Sequence, residues 1–158
     1  GDPFLRKVSL WGVQEEIKGK APSELLSPGG VLVCSFIKQY NGKIYMMSQN
    51  PSYLLEYDEN SDKQRVIKLS LPNEMIKDSK LNRRAHFSSA AIGGEKIYLT
   101  FGREWNKSLL YVFDLEGGLV SDHKIKGNVG QMEYLPGSTK NRLIISANGK
   151  IHYLELTN

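Results

Sequence analysis

The residues best suited to acid–base or nucleophilic chemistry are three histidines, one cysteine and a few adjacent carboxylates. His86, His123 and His152 are far apart in the sequence, and none has the close spacing that lets neighbouring side chains share a metal ion. A catalytic triad needs a serine or cysteine that converges with a histidine and an acid, and no spacing here indicates one. We therefore expect the histidines to be structural or solvent-exposed.

Adjacent carboxylates are the second candidate, because a pair of acids can hydrolyse a glycosidic bond. Glu15–Glu16 and Asp58–Glu59 are adjacent, but neighbouring residues of a strand point to opposite faces. Cys34 lies in an apolar run, where a cysteine behaves as a small hydrophobic side chain. The sequence also contains no glycine-rich phosphate-binding motif. We therefore expect no cofactor, no metal and no catalysis by this chain alone.

The remaining candidates favour recognition, and they lie in loops. The segment 102–107 places Arg103 and Trp105 where no core requires them, and these are the residue types that most often anchor interfaces. We predict a binding face formed by this loop, the loop 48–52 and the long connections between groups of strands. Its candidate binding residues are Asn50, Tyr53, Arg84, Arg103, Trp105 and Asn106.

Strands should position these loops. Apolar and polar residues alternate between turn residues along most of the chain, and this pattern predicts strands. Asn41-Gly42 and Gly93-Gly94 mark tight hairpin turns. Only 11–26 and 72–81 have a helical composition, and we expect both to connect groups of strands. The apolar residues of the second strands should form the core: Ile44, Met46, Ile97, Leu99 and Ile144.

A four-stranded antiparallel meander recurs three times, at about 31–71, 83–126 and 129–158, within a single all-β domain of residues 1–158. The second strand recurs at 42–47, 95–100 and 141–146, and the third strand at 53–58, 109–114 and 150–155. The last repeat has no fourth strand of its own. Because the N-terminal segment 4–10 has the same residue types as the fourth strand at 64–71, we predict that it pairs beside 151–156 and closes the third repeat.

The segment 83–102 resembles the first half of a kelch repeat. It reads Arg-Arg-Ala-His-Phe-Ser-Ser-Ala-Ala-Ile-Gly-Gly-Glu-Lys-Ile-Tyr-Leu-Thr-Phe-Gly, and 110–114 resembles the strand that follows. The double glycine of the family is reduced to Gly102, and the tryptophan usual in the fourth strand is missing from every copy. The resemblance implies blades of a β-propeller. The alternative for the same strands is a β-sandwich or a partly open barrel.

Composition limits the partners. The chain has 21 Lys and Arg against 17 Asp and Glu, and these basic residues are scattered rather than concentrated on a face that could follow phosphates. No apolar run approaches the roughly 20 residues that span a bilayer. We therefore expect neither nucleic-acid binding nor a membrane span. The sequence assigns no compartment.

Three blades are fewer than the roughly four to eight of a closed propeller. We therefore expect either a homo-oligomer or a part of a larger ring. The function we predict is protein–protein recognition by a non-catalytic propeller module through its loop face. The alternative is an extracytoplasmic propeller that binds or processes carbohydrate, with Tyr40, Tyr53 and Trp105 stacked on sugar rings.

Overall fold

The computed structural model describes residues 5–8, 14–17, 22–23, 34–48, 52–73, 87–104 and 107–156, of which 5–8, 14–17, 34–35, 48, 102–104 and 107 are described by their backbone alone. Thirteen strands lie in these ranges. They are β1 (Leu5–Val8), β2 (Gln14–Ile17), β3 (Cys34–Tyr40), β4 (Lys43–Ser48), β5 (Tyr53–Asp58), β6 (Lys63–Lys68), β7 (Phe87–Gly93), β8 (Lys96–Glu104), β9 (Lys107–Asp114), β10 (Leu119–Lys126), β11 (Val129–Leu135), β12 (Asn141–Ala147) and β13 (Lys150–Leu156).

Strands β3 to β13 form three antiparallel meanders, in which consecutive strands are neighbours in one sheet. Sheet 1 has the order β3-β4-β5-β6, sheet 2 the order β7-β8-β9-β10, and sheet 3 the order β11-β12-β13. Every strand predicted between 31 and 158 overlaps one of these strands. The predicted all-β fold of antiparallel meanders is therefore confirmed.

Two-residue turns with positive backbone φ angles join the first two strands of sheets 1 and 2 and the last two strands of sheet 3. The angles are 50° and 70° at Asn41–Gly42, 56° and 57° at Gly94–Glu95, and 51° and 71° at Asn148–Gly149. Two positive φ angles are the signature of the type I′ turn, whose twist matches that of the strands it joins. The turn predicted at Gly93-Gly94 lies one residue later, because Gly93 still pairs within β7.

The three sheets stack face to face, with sheet 2 in the middle. One cluster of buried apolar side chains lies between sheets 1 and 2, and a second cluster lies between sheets 2 and 3. Strand β8 contributes to both, since Ile97 and Leu99 pack toward sheet 1 and Tyr98 packs toward sheet 3. The first strands of the sheets, β3, β7 and β11, contact one another in turn. This is the arrangement of three consecutive propeller blades rather than of a two-sheet sandwich.

Three of the five predicted core residues are buried: Met46, Ile97 and Leu99. Ile44 and Ile144 are only half-buried, so this part of the prediction is wrong. In β12 the buried residues are Leu143, Ile145 and Ala147, which pack against sheet 2. Because side chains alternate between the faces of a strand, Ile144 points to the outer face of sheet 3.

The two outer faces of the stack differ. On the outer face of sheet 1, Met46 and Leu55 are only 3% and 0% exposed. On the outer face of sheet 3, Ile151 and Tyr153 are 68% and 63% exposed. The middle of the outer face of sheet 1 is therefore closed to solvent, whereas Ile37 on its first strand is 59% exposed and the outer face of sheet 3 is open along β13.

The N-terminal segment does not complete sheet 3. Strand β1 pairs with β2 in a separate two-stranded sheet, with Leu5 opposite Ile17 and Val8 opposite Gln14. The prediction that 4–10 pairs beside 151–156 is therefore wrong. A pairing partner close in sequence costs less loop-closure entropy than one at the far end of the chain, and residue types alone do not specify either partner.

Strand β2 also lies within 11–26, where a helical composition was noted. Gly19 and Pro22 interrupt this stretch, and the remaining segments are too short for a stable helix. The second predicted helical stretch, 72–81, lies outside the described residues beyond Asn73.

Candidate functional site

The structure describes only part of the predicted loop face. Arg103 lies within β8, at an irregularity between Gly102 and Glu104 in the pairing with β9, and its backbone alone is described. Asn50, Arg84, Trp105 and Asn106 lie outside the described residues. The loop face therefore stays a prediction.

Two of the aromatic residues proposed as sugar platforms are described. Tyr53 is half-buried and packs against the cluster of Met46 and Leu55 on the outer face of sheet 1. Tyr40 is also half-buried, and its hydroxyl accepts a hydrogen bond of 3.2 Å from the backbone N–H of Glu95 in sheet 2. Both rings thus pack within the protein, which leaves at most part of each ring for a ligand.

A charged network lies on the face of sheet 1 that points to sheet 2. Its centre is Glu56 in β5, which is 5% exposed. Arg65, directly opposite on β6, donates two hydrogen bonds to this carboxylate, with Nε to Oε1 at 3.0 Å and Nη2 to Oε2 at 3.1 Å. Lys43 Nζ donates a third at 2.9 Å, and the hydroxyl of Tyr45 donates a fourth. The carboxylate and the Tyr45 hydroxyl are therefore buried, while the side chains of Arg65 and Lys43 are 40% and 35% exposed.

Arg65 carries the network across to sheet 2. Its Nη1 lies 2.6 Å from Oε2 of Glu116, and its Nη2 donates to the backbone oxygen of Leu115 at 3.2 Å. Lys38 of β3 forms an ion pair with Glu133 of β11, which connects sheet 1 with sheet 3. These polar contacts join the sheets at the end of the stack where the first strands turn into the second.

The pKa values of this network show which groups are charged. Burial alone would raise the pKa of Glu56, but hydrogen bonds from Arg65, Lys43 and Tyr45 outweigh it and hold the pKa below its ordinary value of 4.5. Burial, together with the same carboxylate, raises the pKa of Tyr45. At neutral pH Glu56 is thus ionised and Tyr45 is neutral, and neither titrates near pH 7 as a general acid or base would.

A pair of tyrosines forms an aromatic contact between sheets 2 and 3. The rings of Tyr98 and Tyr134 are stacked, with centroids 6.1 Å apart and an interplanar angle of 24°. A Cβ atom at Gly93 would overlap the ring of Tyr134, and one at Gly94 would lie 2.8 Å from the hydroxyl oxygen of the same residue. Burial raises the pKa of Tyr98 to about 12, so its hydroxyl stays protonated at neutral pH. The two glycines are required by this close approach.

The other sequence candidates do not converge in the described part of the chain. His123 and His152 are exposed in different sheets, and His86 lies outside the described residues. Within the described ranges, no group of three or more His, Cys, Asp or Glu residues could hold a metal ion. Every buried side-chain nitrogen or oxygen there has a hydrogen-bond partner. The same ranges contain no helix that is long and apolar enough to cross a membrane.

Strand β13 is the feature that sets sheet 3 apart. Ile151, Tyr153 and Leu154 are 68%, 63% and 37% exposed, and they are three of the seven large hydrophobic side chains that are exposed in the described residues. The equivalent strands β5 and β9 of the other two sheets are buried along most of their length. Ile151 and Tyr153 lie on the outer face of the sheet, whereas Leu154 points to the opposite face. Because monomers rarely expose adjoining apolar side chains, the pair on the outer face indicates an interaction surface.

The edge of β13 is open as well, because no described strand pairs with it on the side away from β12. The two-residue turn Asn148–Gly149 makes Ala147 and Lys150 a hydrogen-bonded pair, and hydrogen-bonded and non-bonded pairs alternate along an antiparallel ladder. Every second residue of β13 therefore directs its backbone N–H and C=O away from β12. These outward residues are Ile151, Tyr153 and Glu155.

The sequence held a signal for this surface. The strand predicted at 150–155 is apolar at Ile151, Tyr153 and Leu154. The prediction paired 4–10 beside this strand, which concealed its open edge. With β1 paired to β2 instead, the edge of β13 is the candidate functional surface of the described residues.

No protein-family model and no curated protein matches the sequence. Solved structures with a similar course of the chain include the WD40 domain of SCAP from fission yeast, at 13% identity and a TM-score of 0.48, over 97% of this chain and 36% of that one. BamB from Moraxella catarrhalis has 10% identity and a TM-score of 0.34, over 77% of this chain and 42% of its own. A 2S albumin seed protein from Dolichos has 13% identity and a TM-score of 0.34, over 82% and 66%. The chain thus spans less than half of the first two structures, and at these values we draw no functional conclusion from them.

Proposed function

We propose that this chain is a non-catalytic, propeller-type module that recognises another protein, and that sheet 3 is its principal contact surface. The observation that carries the proposal is the exposure of Ile151, Tyr153 and Leu154 beside the open edge of β13. The loop face with Arg103 and Trp105 is proposed as a second contact. The resemblance of 83–102 to a kelch repeat also supports this proposal, since propeller blades present loops from a rigid stack of sheets.

The chemistry of the surface favours a polypeptide as ligand. Unpaired backbone groups along a strand edge, with apolar side chains beside them, are what strand addition between proteins uses. Part of the positive charge beside β13 is compensated, because Glu155 accepts a hydrogen bond of 2.7 Å from Lys140 and lies 3.9 Å from Arg142. A surface for nucleic acid would instead concentrate uncompensated positive charge.

Affinity capture with the intact chain as bait, followed by calorimetry with each purified candidate partner, tests the proposal. The chain with Ile151→Lys and Tyr153→Lys should lose affinity by about tenfold or more, as interfaces do when a central hydrophobic residue is removed. The chain with Arg103→Ala and Trp105→Ala reports on the loop face in the same titration. Circular dichroism should show that both variants keep the strand content of the unaltered chain.

Equal affinity of the unaltered chain and both variants for every captured protein would refute recognition through either surface. Loss of affinity in the loop variant alone would transfer the contact from sheet 3 to the loop face.

A further inference from the structure

We propose that Asn148, in the turn between β12 and β13, is a site of spontaneous deamidation. The backbone nitrogen of Gly149 attacks Cγ of Asn148 and gives up its proton, and the side-chain nitrogen Nδ2 leaves as ammonia. The resulting succinimide ring takes up a water molecule and opens at either of its carbonyl carbons, which gives aspartate or isoaspartate. Water is the only co-reactant, and nothing is oxidised or reduced. The inference does not rest on the proposed function.

A tetrapeptide that recurs in the chain separates the effect of the fold from that of the local sequence. Asn-Gly-Lys-Ile begins at Asn41, between β3 and β4, and again at Asn148, between β12 and β13. A glycine after the asparagine leaves the attacking nitrogen unhindered by a Cβ atom. The backbone φ angles are 50° and 70° at Asn41–Gly42 and 51° and 71° at Asn148–Gly149, and both asparagines are exposed. Local sequence and turn type therefore predict equal rates at the two sites.

The first difference between the two sites is at the side-chain amide. Oδ1 of Asn148 accepts a hydrogen bond of 3.3 Å from the backbone N–H of Asn128, in the connection between β10 and β11. Negative charge develops on this oxygen as the nitrogen of Gly149 attacks, and a fixed N–H donor stabilises such charge. The side chain of Asn41 makes no hydrogen bond to any described residue. The donor should therefore accelerate ring closure at Asn148 alone.

The second difference is the space around the following glycine. The carbonyl oxygen of Gly42 accepts a hydrogen bond of 3.2 Å from the backbone N–H of Glu59, in the turn between β5 and β6. A Cβ atom on Gly42 would lie 2.9 Å from Nδ2 of Asn60, whereas one on Gly149 would meet no described atom within 4 Å. Ring closure requires the peptide group after the asparagine to rotate toward the side chain. The neighbouring turn opposes this rotation at Gly42, and no described contact opposes it at Gly149.

The two products should differ in their effect on the β12–β13 hairpin. Aspartate leaves the main chain unchanged, and its carboxylate can still accept the N–H of Asn128. Isoaspartate routes the main chain through the side-chain carbon and so lengthens a two-residue turn. The length and type of a turn fix the register of the strands that it joins. Isoaspartate should therefore disturb the pair Ala147–Lys150 and loosen the start of β13.

Mass spectrometry of the intact folded chain, kept in mildly alkaline buffer and then digested, measures both rates. Trypsin places the two asparagines in separate peptides, 39–43 and 143–150. Asn148 should be converted about threefold or more faster than Asn41, which is the effect on a rate of one hydrogen bond to the developing charge. The chain unfolded in urea is the control, because the two identical tetrapeptides should then react at nearly equal rates.

Asn148→Gly is the matched variant, because glycine adopts the positive φ of this position and has no amide to lose. Isoaspartate, labelled with an isoaspartyl methyltransferase, should fall in this variant, and conversion of Asn41 should stay the same. Equal rates in the folded chain, faster conversion of Asn41, or the same ratio of rates in urea would overturn the inference. So would an unaltered Asn148 in the folded chain after the unfolded chain has reacted completely. These outcomes involve no other protein, so they leave the proposed function to its own titration.

Discussion

Replacement of Glu56 by alanine should lower the free energy of unfolding by about 2–4 kcal/mol. The hydroxyl of Tyr45, which is 2% exposed, loses its acceptor, and an unsatisfied buried polar group costs about 1–3 kcal/mol. Arg65 and Lys43 lose their shared partner, but their side chains are 40% and 35% exposed. Solvent therefore limits each of these losses to about 1 kcal/mol or less. Arg65 also keeps its contact with Glu116.

A pH series with Glu56→Gln isolates the charge from the shape of the side chain. Because the pKa of Glu56 is held below its ordinary value of 4.5, ionised Glu56 stabilises the fold fully above that value. This stability is lost as the pH falls through 4.5 and then through the lower pKa of the folded state. The glutamine variant does not titrate at this position, so its disadvantage should shrink on acidification. Asp58 and Glu155, whose pKa values are also lowered, are present in both proteins and cancel in the difference.

Urea unfolding of the three proteins, followed by tryptophan fluorescence, measures both effects. At neutral pH the alanine variant should be the least stable, and the glutamine variant should lie between it and the unaltered chain. A loss of less than 1 kcal/mol in the alanine variant would show that the network between Glu56 and its donors does not stabilise the stack. A glutamine variant with the same pH dependence as the unaltered chain would show that Glu56 is not the titrating group.

Two further substitutions test the packing of sheet 2. Ile97→Ala should lower the free energy of unfolding by about 2–5 kcal/mol, because Ile97 is fully buried between sheets 1 and 2. A loss under 1 kcal/mol in urea unfolding would mean that Ile97 does not point into this core. Gly93→Ala should cost about 1–3 kcal/mol, because the added methyl group displaces the Tyr134 ring, whereas Gly130→Ala meets only Ser146, at 3.8 Å, and should be close to neutral. Equal melting temperatures for the two alanine variants would contradict the close contact between Gly93 and Tyr134.

The strands of the three sheets could be predicted because their signals are local. Alternating residue types, interrupted by turn residues such as Asn41–Gly42, specify a strand and its reversal within about ten residues of chain. A meander then follows, because each strand pairs with the next one along the chain. The pairing of 4–10 is a long-range contact, and a likeness in residue type to 64–71 could not specify it.

The candidate site was predictable only in part. The sequence placed Ile151, Tyr153 and Leu154 on the last predicted strand of the third repeat. The same alternation appears in β5, where the residues are buried, so the pattern alone does not tell an open strand from a covered one. The charged network was not predicted. A glutamate in a strand is expected to be exposed, and only the pairing of β5 with β6 shows that Arg65 lies opposite Glu56.

The sequence by itself determined the strands of the three sheets, their order along the chain and, to within one residue, the tight turns after β3 and β7, since backbone preferences and side-chain alternation act between near neighbours. The tertiary structure decided which face of each strand is covered. Leu143 is buried and Ile144 is not, because sheet 2 packs against one face of β12 only. Met46 is closed to solvent, whereas Tyr153 is open at the other end of the stack. Burial depends on which sheet lies opposite, and that neighbour is supplied by residues distant in the sequence.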